Sequence, residues 1–221
     1  MMIKLHQQTI TNTLWYSLNR LMELDELKNF RLVGGTSLSL QIGHRMSVDI
    51  DLFTDLAYDS LDFNLIDEKI IETFPVVQMG FGGNNSMGKS YYVGVTEDDL
   101  VKLDLFYTDR FVFPELKINT IRLASKEEIV AMKLEVIGYG GRKKDFWDLH
   151  ELFEYYSLSE MIAFYEKRYQ YGHSKEELIL MLGNFDSADE DFDPICLHKK
   201  KWELIKLDFE EKIQIEFNRP I

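Results

Sequence analysis

Leu32-Val33-Gly34-Gly35-Thr36-Ser37-Leu38-Ser39-Leu40-Gln41-Ile42-Gly43-His44-Arg45-Met46-Ser47-Val48-Asp49-Ile50-Asp51-Leu52-Phe53-Thr54 is the stretch whose reading decides the fold. A short apolar run stops at a glycine pair. Thr36 and Ser37, good N-cap residues, then head a helix whose apolar face is Leu38 and Ile42. Gly43 closes that helix about two turns later. From Met46 to Thr54 polar and apolar residues alternate, with Ser47, Asp49 and Asp51 on one side and Val48, Ile50 and Leu52 on the other. That is the period of a strand.

The two periods carry chemistry. Residues two apart on a strand point the same way, so Asp49 and Asp51 project together, whereas on a helix they would diverge by about 200°. Neighbouring carboxylates repel unless a cation lies between them, and hard oxygen ligands select a hard ion such as magnesium. The Gly34-Gly35 turn opening a helix presents backbone N–H groups and the positive end of the dipole, a natural place for phosphate. Together these describe a site for a nucleoside triphosphate.

Gly-Gly-Thr-Ser-Leu followed by His-Arg-x-Ser-x-Asp-x-Asp-Leu-Phe resembles the AbiEii/AbiGii-type nucleotidyltransferases of the DNA polymerase β-like superfamily. That group includes MenT-like enzymes that act as toxins of type IV toxin-antitoxin pairs. The resemblance is close over the central motif, moderate from Lys133 to Leu149 and faint over the last sixty or so residues. It implies an α+β fold with a polymerase β-like core, a short mixed or antiparallel sheet with helices packed on it, and a helical C-terminal region. The expected division is 1–120 for the catalytic region and 121–221 for the helical one.

Further along, Leu100 to Tyr107 alternates so that Val101, Leu103, Leu105 and Tyr107 share one face and Lys102 and Asp104 the other. The superfamily places a third carboxylate on a neighbouring strand, which makes Asp104 the candidate third magnesium ligand; an Asp paired with Lys102 at the surface is the competing reading. Ser125-Lys126-Glu127-Glu128 reads as a capping box. In the helix it starts, Lys133 falls inside the arc of Ile129, Met132, Val136 and Ile137, so its ammonium must snorkel or meet a buried anion. The family has a lysine in a matching A-x-K setting on the triphosphate, which makes Lys133 the candidate for that contact, with Lys126 in the first turn as the weaker alternative. It often shows Arg-Asp-x-x-Asp-Leu at the next helix start. Here Lys144 stands in the arginine's place, followed by Asp145 and Asp148, of which Asp148 is the stronger site candidate. Lysine lacks the planar fork of arginine, so a bidentate role is not carried over. The expected site is therefore Asp49, Asp51 and Asp104 on magnesium, Gly34, Gly35, Thr36, Ser37 and Ser47 with Arg45 and Lys133 on the phosphates, and Asp148 beside Lys133.

Gly83-Asn84-Asn85-Ser86-Met87-Gly88-Lys89-Ser90 fits the P-loop pattern letter for letter. A P-loop must feed its Lys and Ser into a helix, yet Tyr91-Tyr92-Val93-Gly94-Val95-Thr96 is aromatic and β-branched, so this segment reads as a hairpin connection. Of the other elements, His6 to Asn29 reads as one scaffold helix, Asp62 to Phe74 as a helix and Val76 to Met79 as a strand. Glu160 to Tyr171, Lys175 to Leu182 and a last helix with Trp202, Ile205, Phe209 and Ile213 on one side complete the chain. The run Asp186 to Asp193 reads as a solvated acidic loop, lacking EF-hand spacing.

At 221 residues, 45% hydrophobic and 13% aromatic, the chain is long and apolar enough for one large domain or two small ones. A net charge of -13 argues against broad nucleic-acid binding, though a small basic patch could still take RNA. No apolar run reaches membrane-spanning length and the first residues do not form a signal peptide, so a cytoplasmic protein is expected. The single cysteine, Cys196, excludes an intrachain disulfide and a cysteine-built zinc site. The resemblance implies transfer of a nucleoside monophosphate to a tRNA 3′ end or a protein, and an antitoxin that silences it. Two other classes use these features: a nucleotide- or partner-binding protein that kept the fold without the chemistry, and a metal-dependent glycosyltransferase, which also carries Asp-x-Asp.

Overall fold

The computed structural model describes residues 4–83 and 86–218. They divide into two compact units: one takes in the residues up to Gly43 and Ser47–Ser125, the other His44–Met46 and the residues from Lys126 on. The division falls at Ser125 rather than 120, because Ile121–Leu123 is a strand of the sheet.

The first unit begins with three helical pieces where one long helix was expected. A 3-10 turn at Gln7–Thr9, α1 at Asn12–Met22 and a second 3-10 turn at Asp25–Leu27 follow one another. Thr11 breaks the run: it is extended, and its side chain accepts the N–H of Leu14, which starts a fresh helix. Next come β1 (Arg31–Leu32), α2 (Gly34–Ile42), β2 (Asp49–Thr54), α3 (Phe63–Thr73), β3 (Val76–Met79), β4 (Gly88–Thr96), β5 (Asp99–Tyr107), β6 (Leu116–Ile118) and β7 (Ile121–Leu123). β6 was not anticipated, being three residues long with a central lysine.

The strands form one mixed sheet in the order β3-β4-β5-β2-β1-β7-β6, with β2 parallel to β5, β1 parallel to β7 and the other pairs antiparallel. Register decides which side chains share a face. Asp49 lies opposite Lys102 and Asp51 opposite Asp104, while Ser90 lies opposite Asp104 from the far side. The alternate residues Ile50, Leu52, Leu103, Leu105, Tyr91 and Val93 point to the other face and join Leu14, Leu18 and Leu21 of α1 and Phe63, Ile66 and Ile70 of α3 in one core. One face of the sheet therefore holds the unit together and the other carries charge. The strand starts at Asp49, later than the alternation suggested, and Val48 is 63% exposed.

The P-loop look-alike is a β-structure as expected. Lys89 and Ser90 lie in β4, with the Lys89 Nζ 2.6 Å from Asp67 and the Tyr91 hydroxyl donating to the same carboxylate at 2.8 Å. Asn84 and Asn85 of that motif lie outside the described residues.

The second unit is helical: α4 (Lys126–Gly138), α5 (Lys143–Leu152), α6 (Leu158–Arg168), α7 (Lys175–Leu182), α8 (Asp186–Asp189) and α9 (Trp202–Phe217). Every residue of α5 from Asp145 to Leu152 is buried, which makes it the central helix of this unit. Phe146 packs against Phe185 and Phe209, and Trp147 stacks on Trp202. The buried residues of α9 are Trp202, Ile205, Phe209 and Ile213, the stripe read from the sequence. The acidic run is exposed to solvent as expected, except at Ala188, but its first four residues form α8 rather than a loop. Asp189 accepts the Trp202 indole N–H at 2.5 Å, and Asp191 accepts the backbone N–H of Lys143 at 2.9 Å, satisfying donors at the starts of α9 and α5. No described helix is long and apolar enough to cross a membrane.

Candidate active site

In the first unit the site is built from β2, β5 and the mouth of α2. Gly34 enters the helix with φ at +66°, a conformation that suits glycine. A Cβ there would lie 2.9 Å from the Asp51 Oδ2, so the carboxylate sits directly against the first residue of the helix. Val33 is the N-cap and no side chain caps the helix; the first-turn N–H groups of Gly34, Gly35 and Thr36 have no acceptor earlier in the helix.

Thr36 and Ser37 are not capping residues. They lie inside the first turn, both buried, and their hydroxyls face the protein. Thr36 Oγ1 donates to the carbonyl of Asp49 at 2.5 Å and meets Ser47 Oγ at 2.7 Å; Ser47 in turn donates its N–H to Thr9. Ser37 Oγ meets the carbonyl of Ala124 at 3.5 Å, a carbonyl that also accepts from Gln41 at 3.0 Å. The arrangement fastens the head of α2 to the start of β2, so Thr36 and Ser47 fix where Asp49 begins its strand.

Asp104 faces the same way as Asp49 and Asp51 but is engaged. Its Oδ1 accepts from Ser90 Oγ at 2.6 Å and its Oδ2 holds the Lys102 ammonium. Lys102 is held charged: burial opposes its ammonium, but the hydrogen bond to Asp104 and the fields of Asp104, Asp49 and Asp51 outweigh that and raise its pKa. Both readings of Asp104 thus meet in one place, register with Asp51 and pairing with Lys102. The donor set is all carboxylate, which suits magnesium, an ion commonly bound by one or two protein carboxylates together with phosphates and water. Among the described residues no three His, Cys, Asp or Glu side chains surround a common point. Asp49 and Asp51 are the pair that fits; Asp104 has to exchange a partner to join them.

Gly34→Ala is expected to lower stability by about 1–2 kcal/mol, the cost of a left-handed backbone for a residue with a Cβ, and to push the Asp51 carboxylate aside. Urea unfolding checks the first effect; a variant as stable as the parent would show that the turn accommodates the methyl.

The second unit holds a buried charge cluster around Asp148. Arg45 forms a fork on it, Nε to Oδ1 at 2.6 Å and Nη2 to Oδ2 at 2.8 Å. His44 Nε2 lies 2.8 Å from Oδ1, and the Lys133 Nζ lies 2.7 Å from Oδ2. Lys133 also donates to Asp145 at 2.5 Å, and the other oxygen of Asp145 takes the Nε and backbone N–H of Arg142. Burial disfavours the Asp148 anion, but Arg45 and Lys133 overcome that and hold its pKa well below the usual carboxylate range. Asp145 is lowered for the same reason by Lys133 and Arg142, and Lys133 is raised by the two carboxylates against its burial. An ionised Asp148 only accepts, so the His44 Nε2 carries the proton. Lys133 therefore meets the buried anions that its place in an apolar arc required, and two of its N–H directions are committed to Asp145 and Asp148. Lys144 has its pKa lowered by burial and by the neighbouring Arg142, Lys133 and Arg45.

The model of the nucleotidyl transferase AbiEii toxin family, type IV TA system, matches residues 17–216. The chain belongs to that family. It is an AbiEii-family nucleotidyltransferase toxin by membership. An uncharacterized protein of Aquifex aeolicus is 24% identical over 212 residues, covering 90% of this chain and 93% of its own. Among solved structures, JHP933 of Helicobacter pylori aligns with a TM-score of 0.56 at 19% identity over 95% of this chain and 89% of its own. MenT4, a nucleotidyltransferase toxin of Mycobacterium tuberculosis, aligns with a TM-score of 0.56 at 16% identity over 90% of this chain and 82% of its own. At these identities the structures show a shared fold, the mixed sheet with helices of the nucleotidyltransferases.

Sequence reasoning gave no role to His44 or Ser90, and gave Lys102 only that of a partner for Asp104, which the structure bears out. His44 stands beside Arg45 in the family motif, so its position was readable although its partner was not.

Proposed function

We propose that this AbiEii-family enzyme is magnesium-dependent and cytoplasmic, and transfers a nucleoside monophosphate from a nucleoside triphosphate to an acceptor hydroxyl on a tRNA 3′ end or a protein. We also propose that it is the toxin of a type IV pair, silenced by an antitoxin. The observation that carries the chemistry is the Asp49-Asp51 face, with the Asp51 carboxylate set against Gly34 at the mouth of α2.

Asp49 and Asp51 would hold the ion, with Asp104 completing the set. When bound, magnesium supplies positive charge to the triphosphate and acidifies the acceptor hydroxyl. The remaining work belongs to the chain. The N–H groups of Gly34, Gly35 and Thr36 would take outer phosphate oxygens through the main chain, which the inward-turned hydroxyls of Thr36 and Ser37 leave as the available donors there. Ser47 acts through Thr36. Asp104 would position the acceptor oxygen in line with the α-phosphorus. That oxygen bonds to the phosphorus, the bond to the bridging oxygen breaks, pyrophosphate leaves and the hydroxyl proton passes to solvent water. Arg45 and Lys133, the latter held protonated by Asp145 and Asp148, are the cations proposed for the polyphosphate.

Incubation with each labelled triphosphate, magnesium and total RNA or protein extract tests the reading. Label in a macromolecule with release of pyrophosphate is expected. No product with any of the four nucleotides would favour a nucleotide-binding role, and turnover of a nucleotide sugar instead would favour a glycosyltransferase.

A further inference from the structure

The acidic face of the first unit carries its own cation. Lys102 lies opposite Asp49 in the β2–β5 register, and its ammonium is bound to Asp104, which lies opposite Asp51. Its side chain is 39% exposed against 16% for Asp104, so solvent reaches the ammonium while the carboxylate it holds is mostly covered. Ser90 fixes the other oxygen of Asp104 from β4. An Asp on each of three neighbouring positions of one face would repel strongly, and Lys102 offsets that repulsion. It also keeps Asp104 committed, consistent with the lack of a three-ligand cluster among the described residues.

We propose that Lys102 is a resident counter-cation that competes with the divalent ion for the acidic face, so that loading requires its ammonium to leave Asp104. The proposal rests on the metal reading of Asp49 and Asp51 given above and adds a gate to it. The Lys102 side chain is part-exposed and ends a run of rotatable bonds, so its release needs side-chain rotation alone, and the freed ammonium lies on the face where the triphosphate would bring new anions. The site would then be quiet toward free metal and would load when metal and polyphosphate arrive together.

The test is manganese binding without nucleotide, followed by the paramagnetic signal of free ion and by calorimetry, in the full chain. A unit charge about 6 Å from a divalent ion in a water-like dielectric changes affinity about tenfold. Lys102→Gln is therefore expected to bind manganese about tenfold more tightly than the parent, and Lys102→Arg, which keeps the charge, to stay near the parent. In chelator the Gln variant should melt lower than the parent, with manganese restoring it. Equal affinity in parent and Gln variant would overturn the proposal.

A measurement on the unaltered protein covers the case in which the variant fails to fold. Acylation of Lys102, read by mass spectrometry, should stay at the metal-free level at low manganese and increase at the concentrations that calorimetry shows to saturate the site, since the ammonium has then left Asp104; unchanged labelling at saturation would equally overturn it. Asp49→Asn/Asp51→Asn separates the layers. If that variant binds manganese as the parent does, the metal assignment itself is wrong. If it loses binding while Lys102→Gln leaves binding unaltered, the counter-cation proposal alone fails.

Discussion

Asp148→Ala is expected to destabilise the helical unit by about 3–5 kcal/mol, because it strands Arg45, Lys133 and His44 in a buried place without their shared carboxylate. For a chain of this size that is a fall in melting temperature of about 10 °C. Trp147 and Trp202 lie in this unit, and a Trp15→Phe background makes fluorescence report on it alone. The double variant Arg45→Met/Asp148→Leu should recover part of the loss, since the guanidinium leaves with the carboxylate it forks while Lys133 keeps Asp145. A double variant no more stable than Asp148→Ala would show that the cost is packing rather than charge.

The same cluster fixes a pH dependence. The folded pKa values of Asp148 and Asp145 are depressed, so the stability they contribute is fully present above the unfolded carboxylate value of about 4 and is lost as pH falls toward the lower folded values. Urea midpoints of this unit should thus fall most steeply below about pH 5, after a shallower loss that begins below about pH 6.5, where burial holds the pKa of His150 down. The fall should be shallower in the double variant. Equal slopes would assign the acid sensitivity to other carboxylates.

Replacing one member of the acidic pair acts in the opposite way, on chemistry rather than on stability. Asp49→Asn or Asp51→Asn is expected to lower nucleotidyl transfer by about a thousandfold or more, the scale of several kcal/mol of charge stabilisation lost from the transition state. Stability should hold or rise slightly, because a like charge has left the face shared with Asp104. This split sets the pair apart from Asp148, whose removal costs both. A retained rate within tenfold of the parent would place the chemistry elsewhere.

The acidic face was legible because a strand has period two and both carboxylates fall within a single strand; no partner had to be known. The glycine turn was legible for a similar reason, since Gly43 and Gly34 both adopt positive φ where the sequence placed the ends of a helix. What Thr36 and Ser37 do was not. A hydroxyl at a helix head looks the same in sequence whether it caps, binds phosphate or ties the helix to a strand, and only the 2.5 Å bond to the Asp49 carbonyl decides. Lys133 was half legible: its place in an apolar arc demanded an anion, and its spacing to the next helix offered Asp145 and Asp148. The fork of Arg45 on Asp148 spans 103 residues of chain, beyond anything a local pattern encodes. Lys102 was seen beside Asp104, but its place opposite Asp49 depends on the parallel pairing of β2 with β5, a fact of topology rather than of local sequence.

The central claim is that Asp49 and Asp51 hold the ion that a nucleoside triphosphate brings to the mouth of α2. Anomalous diffraction from crystals soaked with manganese and a non-hydrolysable triphosphate tests it most directly. The account predicts a manganese peak within coordination distance of both carboxylates, with phosphate oxygens at the Gly34-Gly35 amides. A bound nucleotide whose metal lies away from Asp49 and Asp51 would contradict it.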